Sequence, residues 1–146
     1  MLRAPGLTLR AYGEPRARAG AILMVPAPIK RAYIWDLAPG ASVVEQCLKN
    51  GRIAYVAQWE EPPESFGLRD YGERLLLACA DAIRAETGER AVFLFGHSLG
   101  GLFAAIFAAL HPARVRGLVL AAAPPGARDR AAALRRGRIP ARHSAA

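Results

Sequence analysis

Cysteine is scarce in this chain of 146 residues: Cys47 and Cys79 are the only two. Two thiols cannot build the dense disulfide framework of a small secreted domain, and no Cys/His spacing suits a structural metal. Both lie in segments with helical character and read as small buried thiols, so neither metal nor cofactor is expected. A secretory leader is lacking too, because Met1-Leu2-Arg3-Ala4-Pro5 begins no apolar run; the expected location is cytoplasmic. Charge is missing from Ala91 to Leu110, and 20 uncharged residues are enough to cross a bilayer. That stretch is interrupted by Gly96-His97-Ser98 and Gly100-Gly101, and Val92, Phe93 and Phe95 give its first half strand character. It reads as buried strand, tight turn and buried helix, with no membrane span.

Acidic residues are few at the two ends, and this absence explains the formal charge of +8. Residues 1–20 carry Arg3, Arg10, Arg16 and Arg18 against Glu14 alone. Residues 123–146 carry Arg128, Arg130, Arg135, Arg136, Arg138 and Arg142 against Asp129. Between them the charges balance. The basic ends have no interleaved aromatics and no nucleic-acid motif, so nucleic acid is not an expected partner. Apolar residues make up 53% and charged ones 22%, which excludes general disorder. Three regions follow: a basic, weakly ordered leader (1–20), an α/β domain (21–122) and an Ala/Arg-rich tail (123–146).

Within the domain, strands and helices alternate. Ala21-Ile22-Leu23-Met24-Val25 is a continuous apolar run, the pattern of a strand covered on both faces, and Pro26 and Pro28 stop it. Ser42 three residues before Glu45 is a capping box that opens a helix, closed by Asn50-Gly51. A strand spans 52–57. Asp70 and Glu73 repeat the cap-plus-acid spacing before Leu75, Leu76, Cys79 and Ile83, which recur at helical period and stop at Thr87-Gly88. Ala91 to Phe95 is the next strand, Leu99 to Leu110 an uncharged helix, and Val115 to Ala121 the last strand. This order predicts an α/β fold: a parallel sheet flanked by helices on both faces.

The sharpest chemical signal is Gly96-His97-Ser98-Leu99-Gly100-Gly101, a G-x-S-x-G that ends a strand and opens a helix. A serine on so sharp a turn occupies a strained backbone. Its neighbours at Gly96 and Gly100 must then be very small, and Gly101 permits close helix–sheet packing. The strain lifts the Ser98 hydroxyl above the carboxyl end of the sheet as a nucleophile. The Leu99 N–H at the helix start is aimed where an oxyanion would develop. A second oxyanion donor is expected from the loop after an earlier strand, Pro26-Ala27-Pro28-Ile29. Pro28 has no N–H, which leaves Ala27 or Ile29.

At these residues the chain resembles the α/β-hydrolases. The stretch from Val25-Pro26-Ala27-Pro28-Ile29 through Tyr33-Ile34-Trp35-Asp36-Leu37 is similar, more narrowly, to the polyhydroxyalkanoate synthase branch. So are Ser42-Val43-Val44, the strand ending near Trp59, and Leu68-Arg69-Asp70-Tyr71. The resemblance implies acyl transfer through a covalent acyl-enzyme, on a small-molecule ester or hydroxyacyl thioester or on the polyester itself. Those synthases carry cysteine in G-x-C-x-G, whereas position 98 is serine preceded by His97, as in esterases and lipases. This moves the expectation from polymerisation toward ester or thioester hydrolysis.

A serine needs a base and an orienting acid, which in this fold follow it in the order Ser, acid, His. Beyond Ser98 only His111, Asp129 and His143 have suitable chemistry. His111 ends the helix that Ser98 begins, roughly 18–20 Å away at 1.5 Å per residue, and reads as a helix C-cap. Asp129 and His143 lie in a tail too short for the strands that would carry them, and His97 is turned away from its neighbour's hydroxyl. The expectation is a serine acyl-transfer enzyme whose C-terminal strands are missing, by early termination or a frame change near residue 124, with little activity alone. The alternative is a non-catalytic module of the same fold that binds a protein partner through its open sheet edge.

Overall fold

The computed structural model describes residues 2–14, 20–28, 32–61 and 65–123. In chain order its elements are β1 (Arg3–Ala4), β2 (Leu7–Tyr12), β3 (Ala21–Val25), α1 (Val43–Lys49), β4 (Ile53–Trp59), α2 (Leu75–Thr87), β5 (Val92–His97), α3 (Leu99–Leu110) and β6 (Val115–Ala121). The strands form one six-stranded sheet in the order β1-β2-β4-β3-β5-β6. β3 pairs in parallel with β4 and β5, and β5 in parallel with β6. β2 joins β4 antiparallel, and β1 joins β2 antiparallel.

The apolar runs follow from burial on both faces. In β3, Leu23 and Val25 enter a core with Ile53 and Tyr55 of β4, Leu75, Leu76 and Ile83 of α2, and Phe103 and Phe107 of α3. Met24, one residue out of phase, enters a second core with Trp35, Val44, Ala54 and Val56 on the α1 side. A strand of period two between two helical layers has no face left for polar residues. β6 differs. It is half-exposed along its length, and Val119 keeps 54% of its surface accessible.

Two expectations need correction. The stretch 1–20 is not a weakly ordered leader throughout, because it supplies β1 and β2. Leu7 and Leu9 on alternate positions are buried in the main core, and the Thr8 hydroxyl between them is hydrogen-bonded to the Glu60 carboxylate. The second correction concerns the helix start at Asp70. Helical structure already begins at Leu68, widens to a π-turn over Asp70–Arg74, and continues as α2. Asp70 is therefore no N-cap; its carboxylate reaches back to accept the Gly67 N–H at 2.9 Å. The widened turn accompanies a close approach, with Gly72 against Ile106 of α3.

The capping box at α1 forms in half. Ser42 Oγ accepts the Glu45 N–H at 2.9 Å, but the Glu45 carboxylate takes the Gly40 N–H at 3.0 Å and pairs with Lys49 at 2.8 Å. Cys79 is buried as expected, and burial pushes its thiol up to about 12; Cys47 is only half-buried, and desolvation raises its thiol as well.

The winding sets the site. From β3 the chain passes through α1 to β4 on one side, then crosses back through α2 to β5 on the other. The carboxyl ends of β3 and β5 are thus neighbours whose outgoing chains diverge, which is where open α/β sheets form a crevice.

Candidate active site

The ladder between β3 and β5 ends with Val25 opposite Gly96, so the loop from Pro26 and the turn at His97-Ser98 leave the sheet side by side. Ser98 sits at φ 55°, ψ −128°, a conformation that L-residues rarely adopt and that costs of order 1–3 kcal/mol. Neighbouring backbone holds it there. The Ser98 N–H donates to Ala121 O of β6 at 2.9 Å, and Ser98 O accepts the Gly101 N–H at 2.9 Å.

Each glycine of the motif faces a surface that a methyl group would penetrate. A Cβ at Gly96 would stand 2.5 Å from the Gly101 Cα and 2.9 Å from the Ala104 Cβ. One at Gly100 would collide with Val25 O and stand 2.5 Å from Pro26 O. One at Gly101 would lie 2.7 Å from the Ala123 Cβ. Gly100 is also where α3 rests on the loop leaving β3.

Leu99 is the first residue of α3, a helix of 12 residues whose N-terminus has no side-chain cap. Its N–H is one of the first-turn donors that an α-helix leaves without an intrahelical partner, next to a serine that is half-buried. Ala27 is buried, with 1% exposure, and Ile29 lies outside the described residues.

The histidines divide as follows. His97 packs on the α1 side, its ring edge-on to Trp35 with centroids 6.1 Å apart, and its buried Nδ1 has no partner among the described residues. His111 is the C-cap of α3 and donates its backbone N–H to Phe107 O at 2.8 Å. Its Nε2 stands 3.4 Å from Glu73 Oε1, near enough for charge attraction but out of hydrogen-bond alignment. His111 thus belongs to the far end of the helix. Asp129 and His143 lie outside the described residues.

No cluster of three His, Cys, Asp or Glu side chains among the described residues could hold a metal. No helix among them is long and apolar enough to cross a membrane.

An aromatic group that the sequence pattern does not single out stands beside the turn. Trp59, at the carboxyl end of β4, is edge-on to Tyr71 (5.2 Å) and to Phe103 of α3 (6.2 Å). Tyr71 and Phe103 are stacked at 5.2 Å with 11° between their planes. The Trp59 Nε1–H donates to Pro26 O at 2.7 Å. Trp59 and Tyr71 both lie in stretches that carry the family resemblance, but nothing in those stretches signals that they meet.

Comparison with known proteins gives a consistent picture. Residues 47–143 match the sequence profile of the alpha/beta hydrolase fold. The chain is 40% identical over 105 residues to the poly(3-hydroxyalkanoate) polymerase subunit PhaC of Haloferax mediterranei, covering 70% of this chain and 21% of that protein. It is 32% identical over 118 residues to its counterpart from Allochromatium vinosum, covering 79% of this chain and 33% of that one. The chain therefore spans between a fifth and a third of the length of these relatives. Among solved structures, the fold resembles a monoacylglycerol lipase of Paleococcus ferrophilus (TM-score 0.62, 25% identity, 80% of this chain and 43% of that one). It also resembles a carboxylesterase of Nitrososphaera gargenis (TM-score 0.64, 17% identity, 82% and 42%).

Proposed function

The chain belongs to the alpha/beta hydrolase fold family, and from that premise we propose that it carries the nucleophile side of a serine acyl-transfer site. The observation that carries this reading is the strained Ser98 backbone, enclosed by glycines with no room for a side chain. A buried packing serine needs no such conformation, whereas a serine raised above the sheet does.

Ser98 Oγ attacks the carbonyl carbon of an ester or acyl thioester. Negative charge develops on the carbonyl oxygen, where the Leu99 N–H donates. Collapse expels the alcohol or thiol and leaves the acyl group on Ser98, and water then releases it as the acid. For the second donor, Ile29 is the better choice. Ala27 is 1% exposed, and its N–H lies on the opposite edge of the trans peptide from a carbonyl that packs against Gly100. Relatives named as poly(3-hydroxyalkanoate) polymerases support a hydroxyacyl substrate. Serine in place of their nucleophile type favours hydrolysis over chain growth.

No described residue hydrogen-bonds the Ser98 hydroxyl, so no base is assigned. Loss of triad members lowers kcat by up to about 10⁶ while the oxyanion hole retains some catalysis. Very slow hydrolysis of short p-nitrophenyl esters is the expected behaviour of this chain alone. The test is a fluorophosphonate probe with peptide mapping: labelling at Ser98, abolished in Ser98→Ala, supports the proposal. Absence of labelling favours the second reading, a non-catalytic module that binds a protein at the outer edge of β6, which is unpaired among the described residues and where Val119 is exposed.

A further inference from the structure

The loop that leaves β3 has few means of holding itself. Pro26 and Pro28 have no N–H to donate. Among the described residues, Trp59 is the side chain that hydrogen-bonds it, through Nε1–H to Pro26 O at 2.7 Å. The same carbonyl faces Gly100, so the Pro26–Ala27 peptide is clamped between an indole N–H and the first turn of α3. The indole is itself held firmly. Tyr71 meets it edge-on at 5.2 Å, Phe103 at 6.2 Å, and Phe66 packs edge-on to Tyr71 at 5.8 Å. Tyr71 reaches this position from the π-turn, where Gly72 packs against Ile106 of α3 and Tyr71 stacks on Phe103.

We propose that Trp59 is a positioning residue for the Ser98 site: its indole N–H sets the height of the loop after β3 above the first turn of α3. The Pro26–Ala27 peptide thereby stays seated on the first turn of α3, beside the Leu99 N–H at its start. Trp59 does not touch the reacting atoms. It acts through one peptide carbonyl, and the aromatic stack keeps its ring from following the loop if the loop moves. A misplacement of about 1 Å at such a site lowers the rate by up to roughly a hundredfold. This inference rests on Ser98 being the nucleophile.

Trp59→Phe keeps a ring against the Tyr71–Phe103 stack and deletes the N–H. With a fluorophosphonate probe, the maximal rate of Ser98 phosphonylation should fall roughly ten- to a hundredfold. The probe's half-saturating concentration should stay within about twofold, because a purely positional defect acts after binding. The melting temperature is measured alongside; a rate loss explained by unfolded protein would overturn the proposal. So would a labelling rate equal to that of the wild type. If the wild-type chain is not labelled at all, the Ser98 reading fails and the catalytic part of this proposal fails with it. The anchoring itself is read separately by hydrogen exchange. In the wild-type chain the Trp59 indole hydrogen should exchange at least tenfold more slowly than that of free tryptophan, and the Ala27 amide should lose protection in Trp59→Phe. Free exchange of the indole hydrogen overturns the anchoring whether or not the variant folds.

Discussion

Ser98 and its glycines show how little freedom a single position keeps when two backbones meet there. At Gly100 the neighbours are the carbonyls of Val25 and Pro26, which cannot rotate away as a side chain could. Gly100→Ala should therefore destabilise the fold by about 3 kcal/mol or more, read as a shift in the urea midpoint, and should reduce Ser98 labelling in whatever fraction stays folded. These residues are legible in sequence because the motif is local: strand, turn and helix follow within a few positions. Trp59 is not, since its hydrogen bond joins positions 33 apart and depends on β4 lying beside β3. No periodicity of the local chain encodes that adjacency. Of the histidines, His111 as a helix cap follows from counting turns. The unpartnered Nδ1 of His97 on the α1 side comes only from the three-dimensional packing.

At the scale of elements, the start of the α2 segment separates a pattern from its physical cause. Asp70-x-x-Glu73 has the spacing of a cap followed by an acid, yet the backbone is already helical at Asp70 and its carboxylate serves the Gly67 N–H one turn earlier. Glu73, meanwhile, bonds Arg69 at 3.1 Å rather than any backbone donor. The Gly67 N–H, then the Arg74 side chain, hold the Asp70 carboxyl below its usual range. A carboxyl whose folded pKa is depressed stabilises the fold above its unfolded pKa of about 3.9 and loses that contribution as pH falls through the folded value. Protection of the Gly67 amide should thus decline as pH drops below about 4, and Asp70→Asn should flatten that decline; equal pH profiles would remove the assignment. The helix at Ser42 shows the opposite case. Its cap forms as the sequence implies, and only the partner of Glu45 differs.

For the whole molecule, the alternation of apolar runs and capped helices points to the parallel strands β3, β4, β5 and β6, whereas the antiparallel addition of β1 and β2 is hidden. Those strands are short, and Arg10 and the arginines beyond it make the region look like solvent-facing chain. The only local trace is Leu7-Thr8-Leu9, whose leucines enter the main core with 0% and 2% exposure. Leu9→Ala should cost about 2–5 kcal/mol in chemical denaturation, the range of a buried leucine, whereas a detached leader would show none.

The hydrogen bond from the Ser98 N–H to Ala121 O ties a residue in a strained backbone conformation to a half-exposed strand. One of the serine's two backbone holds lies on α3, where Ser98 O accepts the Gly101 N–H above a core that includes Leu94 and Phe107. The other hold is an outer strand paired on one side among the described residues, and such strands open locally long before a protein unfolds. The Ser98 amide should exchange with solvent at the pace of β6 and far faster than Leu94. For the nucleophile proposed at Ser98, readiness is then coupled to edge fraying: whatever steadies β6 keeps one of the serine's two backbone holds, and whatever peels it away leaves only the Gly101 N–H.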